Sequence, residues 1–195
     1  MKKIFKCVLT GSTCVGKTTV IHILRERGYA TVQEFSRTLI EEQQQANSDI
    51  LPWINPQAFQ DLYIERQSKE ELQIDSRLRD ESIGPVLFMD RCIIDAEAFC
   101  VFAGVTISDT LNQHIETLKT HNATYNLIFI LEHLESYTLD SGRVINEEES
   151  KKIQELIRQA YKRRGYTLVS VPYMSPEERV EFILAKTREA LQIAH

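Results

Sequence analysis

Residues 4–18 read Ile4-Phe5-Lys6-Cys7-Val8-Leu9-Thr10-Gly11-Ser12-Thr13-Cys14-Val15-Gly16-Lys17-Thr18, and an amphipathic stretch, Thr19-Val20-Ile21-His22-Ile23-Leu24, follows at once. An apolar run of strand length, a glycine-bounded loop and a helix-period segment predict strand, phosphate-binding loop and helix. Residues 11–18 fit the pattern GxxxxGK[ST]. Glycines at both ends let backbone N–H groups turn inward, and the positive end of the following helix adds to their pull on phosphate oxygens. Lys17 is placed to reach the β- and γ-phosphates of a nucleoside triphosphate, and the Thr18 hydroxyl to ligate Mg²⁺. Gly11, Ser12, Thr13, Cys14, Val15, Gly16, Lys17, Thr18 and the adjoining Thr19 are therefore the expected nucleotide-binding residues. ATP is the expected nucleotide, with GTP open because backbone contacts can set base choice.

Working outward, the apolar pattern predicts strands over 4–9, 29–33, 86–89, 127–131 and 167–171. Helices are predicted over 17–27, 36–45, 56–79, 93–102 and 108–120, in a charged segment ending near Arg164, and over 176–194. In the long helix Phe59, Leu62, Tyr63 and Ile74 can share a buried side. Strand alternating with helix is the mark of a mostly parallel α/β sheet. Arg27-Gly28-Tyr29 and Arg164-Gly165-Tyr166 read as two helix ends solved alike, with glycine free to turn left-handed beside basic residues at the negative end of the dipole. The 195 residues suit one domain, over 1–195, with a polar loop at about 132–144. The 23 basic and 28 acidic side chains argue against broad binding of duplex nucleic acid, which needs a basic face. No apolar run approaches a transmembrane span. Lys6 breaks the only stretch that resembles a signal peptide, so a buried first strand is the better reading. The four cysteines show no metal-ligand spacing, and Cys7 and Cys100 read as core, which suits a reduced, cytoplasmic setting. Cys14 is either redox-sensitive or an incidental loop residue. None of the five histidines pairs with Cys or Asp at ligand spacing.

Acidic and basic residues at strand ends carry the remaining chemistry. Asp90 ends the third strand, where it can join Thr18 in a Mg²⁺ shell or cap the next helix. Arg91 follows it, in the place where ATPases of the AAA type keep a water-polarising glutamate. An arginine there suits an acceptor or phosphate anchor, or else a surface ion pair. Asp95, four residues on, can hydrogen-bond a sugar hydroxyl or orient Arg91. Glu34 ends the second strand, and the carboxy ends of parallel strands face the ligand crevice. It can therefore act as a general base toward a hydroxyl, or serve structurally at a helix start near Arg37. Arg143 lies on a loop that can close over a γ-phosphate, or it is a solvated loop residue. Trp53, on a proline-bounded loop, can stack on a base or cover core.

With these residues laid out, the chain resembles the NadR-like AAA-domain family of P-loop proteins, relatives of nicotinamide riboside kinase domains. The resemblance runs nearly end to end. It takes in the P-loop, Val32-Gln33-Glu34-Phe35-Ser36-Arg37, the Trp53…Pro56…Phe59 segment leading to Arg66-Gln67, and Asp90-Arg91…Asp95. It continues through Ser141-Gly142-Arg143, Gly165-Tyr166, Val171-Pro172 and Glu177-Glu178-Arg179. It implies a three-layer αβα P-loop NTPase fold with a five-stranded parallel sheet in the order 2-3-1-4-5. It implies that Arg143 is a lid arginine, that Val171 and Pro172 lie beside the purine, and that Glu34 lies near the acceptor hydroxyl. Trp53, Gln67 and Asp95 are the acceptor-binding residues on this view. Lys17, Glu34, Asp90, Arg91 and Arg143 are the catalytic ones, with Thr18 and Asp90 on the metal. The chemistry so implied is transfer of a γ-phosphate to a small-molecule hydroxyl, most simply a nucleoside's. A nucleotide-hydrolysing or sensing switch, and a binder that uses nucleotide structurally, are the alternatives. An Asn-Lys-x-Asp guanine motif is absent from the sequence, which argues against a Ras-like GTPase.

Overall fold

The first strand, β1 (Phe5–Thr10), alternates its side chains between two fully buried environments, Cys7 and Leu9 toward one face and Val8 toward the other. A strand with apolar neighbours on both faces must be central in its sheet and covered by helices on each side. The computed structural model describes residues 4–77, 84–120, 124–133 and 146–193. Along them β1 is followed by α1 (Lys17–Glu26), β2 (Ala30–Val32), α2 (Ser36–Gln45), α3 (Pro56–Arg77), β3 (Val86–Asp90), α4 (Ile93–Ala103) and α5 (Asp109–Thr120). Then come β4 (Leu127–Leu131), α6 (Glu147–Arg163), β5 (Leu168–Val171) and α7 (Pro176–Ile193). All five strands are parallel, in the order β2-β3-β1-β4-β5, as the resemblance implied.

The same alternation repeats in β3 and β4. Val86 and Phe88, with Phe129 and Leu131, join Cys7 and Leu9 against Val20, Ile21 and Leu24 of α1 and Val180 and Ile183 of α7. Leu87, Met89, Ile128 and Ile130 join Val8 against α3, α4, α5 and α6. α4 is buried nearly all round, which explains its run Ile93-Ile94-Asp95-Ala96-Glu97-Ala98 with only two polar residues. Cys7 and Cys100 are core residues, as expected, and burial raises both thiols to about 12. Among the described residues, no helix is long and apolar enough to cross a membrane.

The edge strand β2 is shorter than the expected 29–33. It has one neighbour, β3, and pairs only through Ala30, Thr31 and Val32. Tyr29 is consumed by the preceding turn, where its N–H donates to Leu24 O at 3.1 Å while Gly28 stands at φ +85°. The second such turn is built the same way: Tyr166 N–H donates to Tyr161 O at 3.0 Å, with Gly165 at φ +81°. The helix expected over 56–79 is described to Arg77.

Candidate functional site

The order 2-3-1-4-5 makes the chain reverse direction across the sheet at β1, and the crevice beyond the carboxy ends of β1 and β3 is where such folds bind ligands. Residues 11–18 fill that crevice. Gly11 has φ +133°, and a Cβ there would lie 2.9 Å from Leu131 O and 3.2 Å from Val15 Cγ2, so neither backbone nor space admits a side chain. Gly16 (φ +85°) precedes the first helical residue, and Cys14 also stands left-handed at φ 61°. These turns wrap the loop around Lys17, whose Nζ donates to Gly11 O at 3.1 Å and Ser12 O at 2.5 Å. Burial pushes the Lys17 ammonium down to about 7; the nearby Arg91 charge adds to this, and Asp90, Asp95 and Glu34 oppose it. A buried cation resting on carbonyl oxygens is well matched to an incoming polyanion.

Register then sets the carboxylate opposite this loop. Leu9 pairs with Asp90, which brings the end of β3 beside the start of α1, and Thr18 Oγ1 donates to Asp90 Oδ2 at 3.3 Å. Asp90 does not cap α4: the capping residue is Cys92, whose N–H donates to Asp95 Oδ2 at 3.1 Å. Burial raises the Asp90 carboxyl, with Lys17 and Arg91 acting against the shift. Among the described residues its buried Oδ1 has no partner, nor have Thr13 Oγ1 and Arg179 Nε around the same loop. Buried polar atoms without partners are rare in native proteins, and the Asp90 oxygen stands beside the Thr18 hydroxyl. A hydroxyl and a carboxylate with a free oxygen are the hard donors that Mg²⁺ takes, so the residues present fit that ion.

Arg91 is no surface residue. It is 7% exposed and left-handed (φ 69°), its N–H donates to Leu9 O at 3.0 Å, and its guanidinium lies 4.9 Å from the Phe99 ring centroid. Its Nη1 donates to Asp95 Oδ1 at 2.9 Å. Burial works against its charge, but Asp95, Glu34 and Asp90 outweigh that and raise it. Asp95 itself is fully enclosed and also accepts from Thr10 Oγ1 and from Tyr161 Oη, the latter at 2.7 Å. Of the two roles expected of Asp95, its enclosure and the bonds on both oxygens favour holding Arg91 over contact with an acceptor.

Glu34 is half-buried at the end of β2, and its Oε1 accepts from Ser36 N–H at 2.5 Å at the start of α2. Its charge acts on Lys17, Asp90 and Arg91, and on Tyr63. Tyr63, read from sequence as core alone, stacks its ring on Phe35 at 5.0 Å, and burial and the Glu34 charge hold its hydroxyl, uncharged, well above the usual range. Gln67 is buried, donates from Nε2 to Glu71 Oε1 at 2.7 Å, and with Phe35, Arg66 and Glu71 lines a cavity of about 380 Å³ between β2 and α3. Trp53 is 56% exposed, so covering the core is not its role. Thr19 is exposed on the first turn of α1; Val171 is buried and accepts from Glu132 N–H at 3.0 Å, and Pro172 follows it on the surface. Arg143 and most of the loop at 132–144 lie outside the described residues.

The sequence reading missed the braces behind the loop. Ser12 N–H donates to Gln154 Oε1 at 2.6 Å, Ser12 Oγ and Ser150 Oγ are hydrogen-bonded at 2.7 Å, and Gln154 Nε2 donates to Leu131 O at 3.0 Å. Ser12, expected on the nucleotide, thus spends its N–H and hydroxyl on α6. Ser150 and Gln154 sit at helical spacing in a polar segment, and nothing in that pattern separates a brace from a solvated face.

A phosphate loop joining β1 to α1, at the switch point of a parallel 2-3-1-4-5 sheet with helices on both faces, defines a P-loop NTPase fold. The family model described as AAA domain matches residues 6–179, and the chain belongs to that family. Comparison with curated protein sequences finds no match. Among solved structures the chain is similar to a NadR protein in complex with NAD and AMP-PNP, at TM-score 0.62 and 17% identity, covering 96% of this chain and 49% of that one. It is also similar to thymidylate kinase from Ehrlichia chaffeensis, at TM-score 0.66 and 12% identity over 95% of this chain and 99% of that one. Deoxyadenosine kinase from M. mycoides gives TM-score 0.59 and 16% identity over 95% and 100%. The chain spans about half the length of the NadR chain it matches. At these identities the likeness is one of fold.

Proposed function

We propose that this chain binds a nucleoside triphosphate, ATP or GTP, with Mg²⁺ on residues 11–18 and transfers the terminal phosphoryl group to a hydroxyl of a small, nucleoside-like acceptor. The observation that carries this is Arg91, buried beside Asp90 and pinned by Asp95 where a hydrolase needs a carboxylate to polarise water. The fold likeness to thymidylate and deoxyadenosine kinases supports the same choice. Lys17 leaves the Gly11 and Ser12 carbonyls for the phosphate oxygens, and the turned backbone supplies N–H donors. Thr18 and Asp90 would hold Mg²⁺, which would supply positive charge to the phosphates. Arg91 meets the negative charge of the transferring group. Glu34, its orientation set by the Ser36 N–H, accepts the acceptor's proton through the oxygen that bond leaves available. Arg143 adds positive charge, and Trp53 and Gln67 contact the acceptor. The cytoplasm suits such a small-molecule reaction.

Single-turnover consumption of ATP, with and without a panel of nucleosides, tests this. ATP alone turns over slowly, one nucleoside accelerates it, and Glu34→Gln lowers the accelerated rate by roughly 10²–10⁴ with ATP affinity little changed. Brisk hydrolysis without any acceptor, indifferent to Glu34, would instead support the nucleotide-hydrolysing switch. One observation favours that second reading: the Glu34 bond to Ser36 N–H gives this carboxylate a helix-starting role that needs no acceptor.

A further inference from the structure

Arg179, in the first turn of α7, is only 2% exposed and is among the largest enclosed side chains of the molecule. Burying a guanidinium is costly unless a carboxylate or equivalent acceptors compensate. Its hydrogen bonds go to backbone carbonyls: Nη1 donates to Val15 O, inside the phosphate loop, and Nη2 to Glu132 O at 3.2 Å. The Glu132 carboxylate is engaged elsewhere, by Arg158 and Ser170, and Arg179 Nε meets no acceptor. Among the described residues, no carboxylate lies within ion-pair distance of Arg179. A Cβ on Gly16 would sit 3.5 Å from Nη1, so this cation stands against the back of the loop.

The direction of the Val15 carbonyl matters because a trans peptide points its C=O and the next N–H to opposite sides, and no peptide among the described residues is cis. The Gly11–Ser12 peptide shows the effect. Gly11 O faces inward to Lys17, and Ser12 N–H faces outward to Gln154. The Val15–Gly16 peptide is turned the other way. With Val15 O drawn out to α7, the trans geometry turns the Gly16 N–H away from that helix.

We infer that Arg179 is a positioning residue of the phosphate cradle: it holds the Val15–Gly16 peptide so that the Gly16 N–H is aimed at a bound phosphate. This rests on the reading of residues 11–18 as a nucleotide phosphate site. It assigns a role to the closing helix, some 160 residues downstream of the loop.

Val15-Gly16 is the only Val-Gly dipeptide in the sequence, so labelling valine carbonyls with ¹³C and glycine nitrogens with ¹⁵N isolates the Gly16 amide. The wild-type signal should move far more with ATP and Mg²⁺ than with adenosine. Arg179→Met should lose roughly 10- to 100-fold in affinity for ATP with Mg²⁺, the scale of a hydrogen bond to a charged group, while affinity for adenosine changes by less than about threefold. Arg179→Lys, which keeps the charge but reaches one carbonyl, should fall between. A purely structural role would instead lower thermal stability and weaken both ligands in proportion. The inference is overturned if the wild-type Gly16 signal ignores bound triphosphate, or if a folded Arg179 variant keeps the wild-type ratio of ATP to adenosine affinity. Should Arg179→Met fail to fold, the lysine variant and the wild-type signal still decide. If the wild type binds neither ATP nor GTP with Mg²⁺, the phosphate-site reading itself has failed.

Discussion

Gly11 and Gly28 both stand at positive φ, yet only one of them is enclosed: a Cβ on Gly11 meets Leu131 O at 2.9 Å, and one on Gly28 meets nothing within 4 Å. Gly28→Ala should therefore cost only the left-handed strain, about 1 kcal/mol. Gly11→Ala should cost about 3 kcal/mol, since strain and steric conflict add. Urea unfolding of the two variants checks this, and equal midpoints would contradict it. Lys17 makes a separate prediction through its proton. Burial first, then Arg91, lowers its pKa to about 7 in the free protein, and a bound triphosphate favours the charged form. Binding must then take up close to one proton at about pH 8, where free Lys17 is mostly neutral, and none below about pH 6, where it is already charged. Calorimetry of ATP binding in buffers of different ionisation enthalpy measures that number, and Lys17→Met should abolish it. An uptake that grows as pH falls would refute the assignment.

At the scale of elements, α6 works as a splint for the phosphate loop. The Gln154 amide bridges Ser12 N–H and Leu131 O, tying the loop to the end of β4. Gln154→Leu leaves two buried backbone groups unpaired, at roughly 1–3 kcal/mol each, and should destabilise the protein by about 3 kcal/mol while loosening nucleotide binding. Gln159→Leu, on the exposed side of the same helix where the amide reaches Glu155, should stay within about 0.5 kcal/mol of wild type. Thermal or urea unfolding separates the two cases. The elements themselves were largely legible. Helix α2 falls on the residues its apolar period and polar flanks suggest, and β3 and β4 announce themselves as short apolar runs. Edge strand β2 was read too long because β propensity at Tyr29 says nothing about the glycine turn that claims its N–H. The braces were not legible, because a glutamine on a helix looks the same whether its partner is water or a loop folded back from far along the chain.

Over the whole molecule, ligand binding and stability are one equilibrium. If residues 11–18 hold nucleotide with Mg²⁺ only in the folded state, triphosphate at 100 times its Kd should add roughly 2.7 kcal/mol to unfolding stability. Lys17→Ala should remove most of that gain while leaving the unliganded transition cooperative, and thermal shifts with and without Mg²⁺ would show it. No gain in the wild type at saturating ATP or GTP would count against the site. What the sequence by itself determined is local: the spacing of Gly11, Gly16, Lys17 and Thr18, and the period of the apolar residues, dictate a phosphate loop between strand and helix because those steps depend on near neighbours in the chain. Asp90 and Glu34 were legible as strand-end carboxylates for the same reason. Only the tertiary structure decided which of their neighbours face the crevice. It enclosed Asp95 behind Arg91, stacked Tyr63 on Phe35, exposed Trp53, and set Gln154 and Arg179 against the back of the loop. Those outcomes depend on strand register and on how helices pack across the sheet, which bring together residues far apart in sequence and leave no periodicity to read.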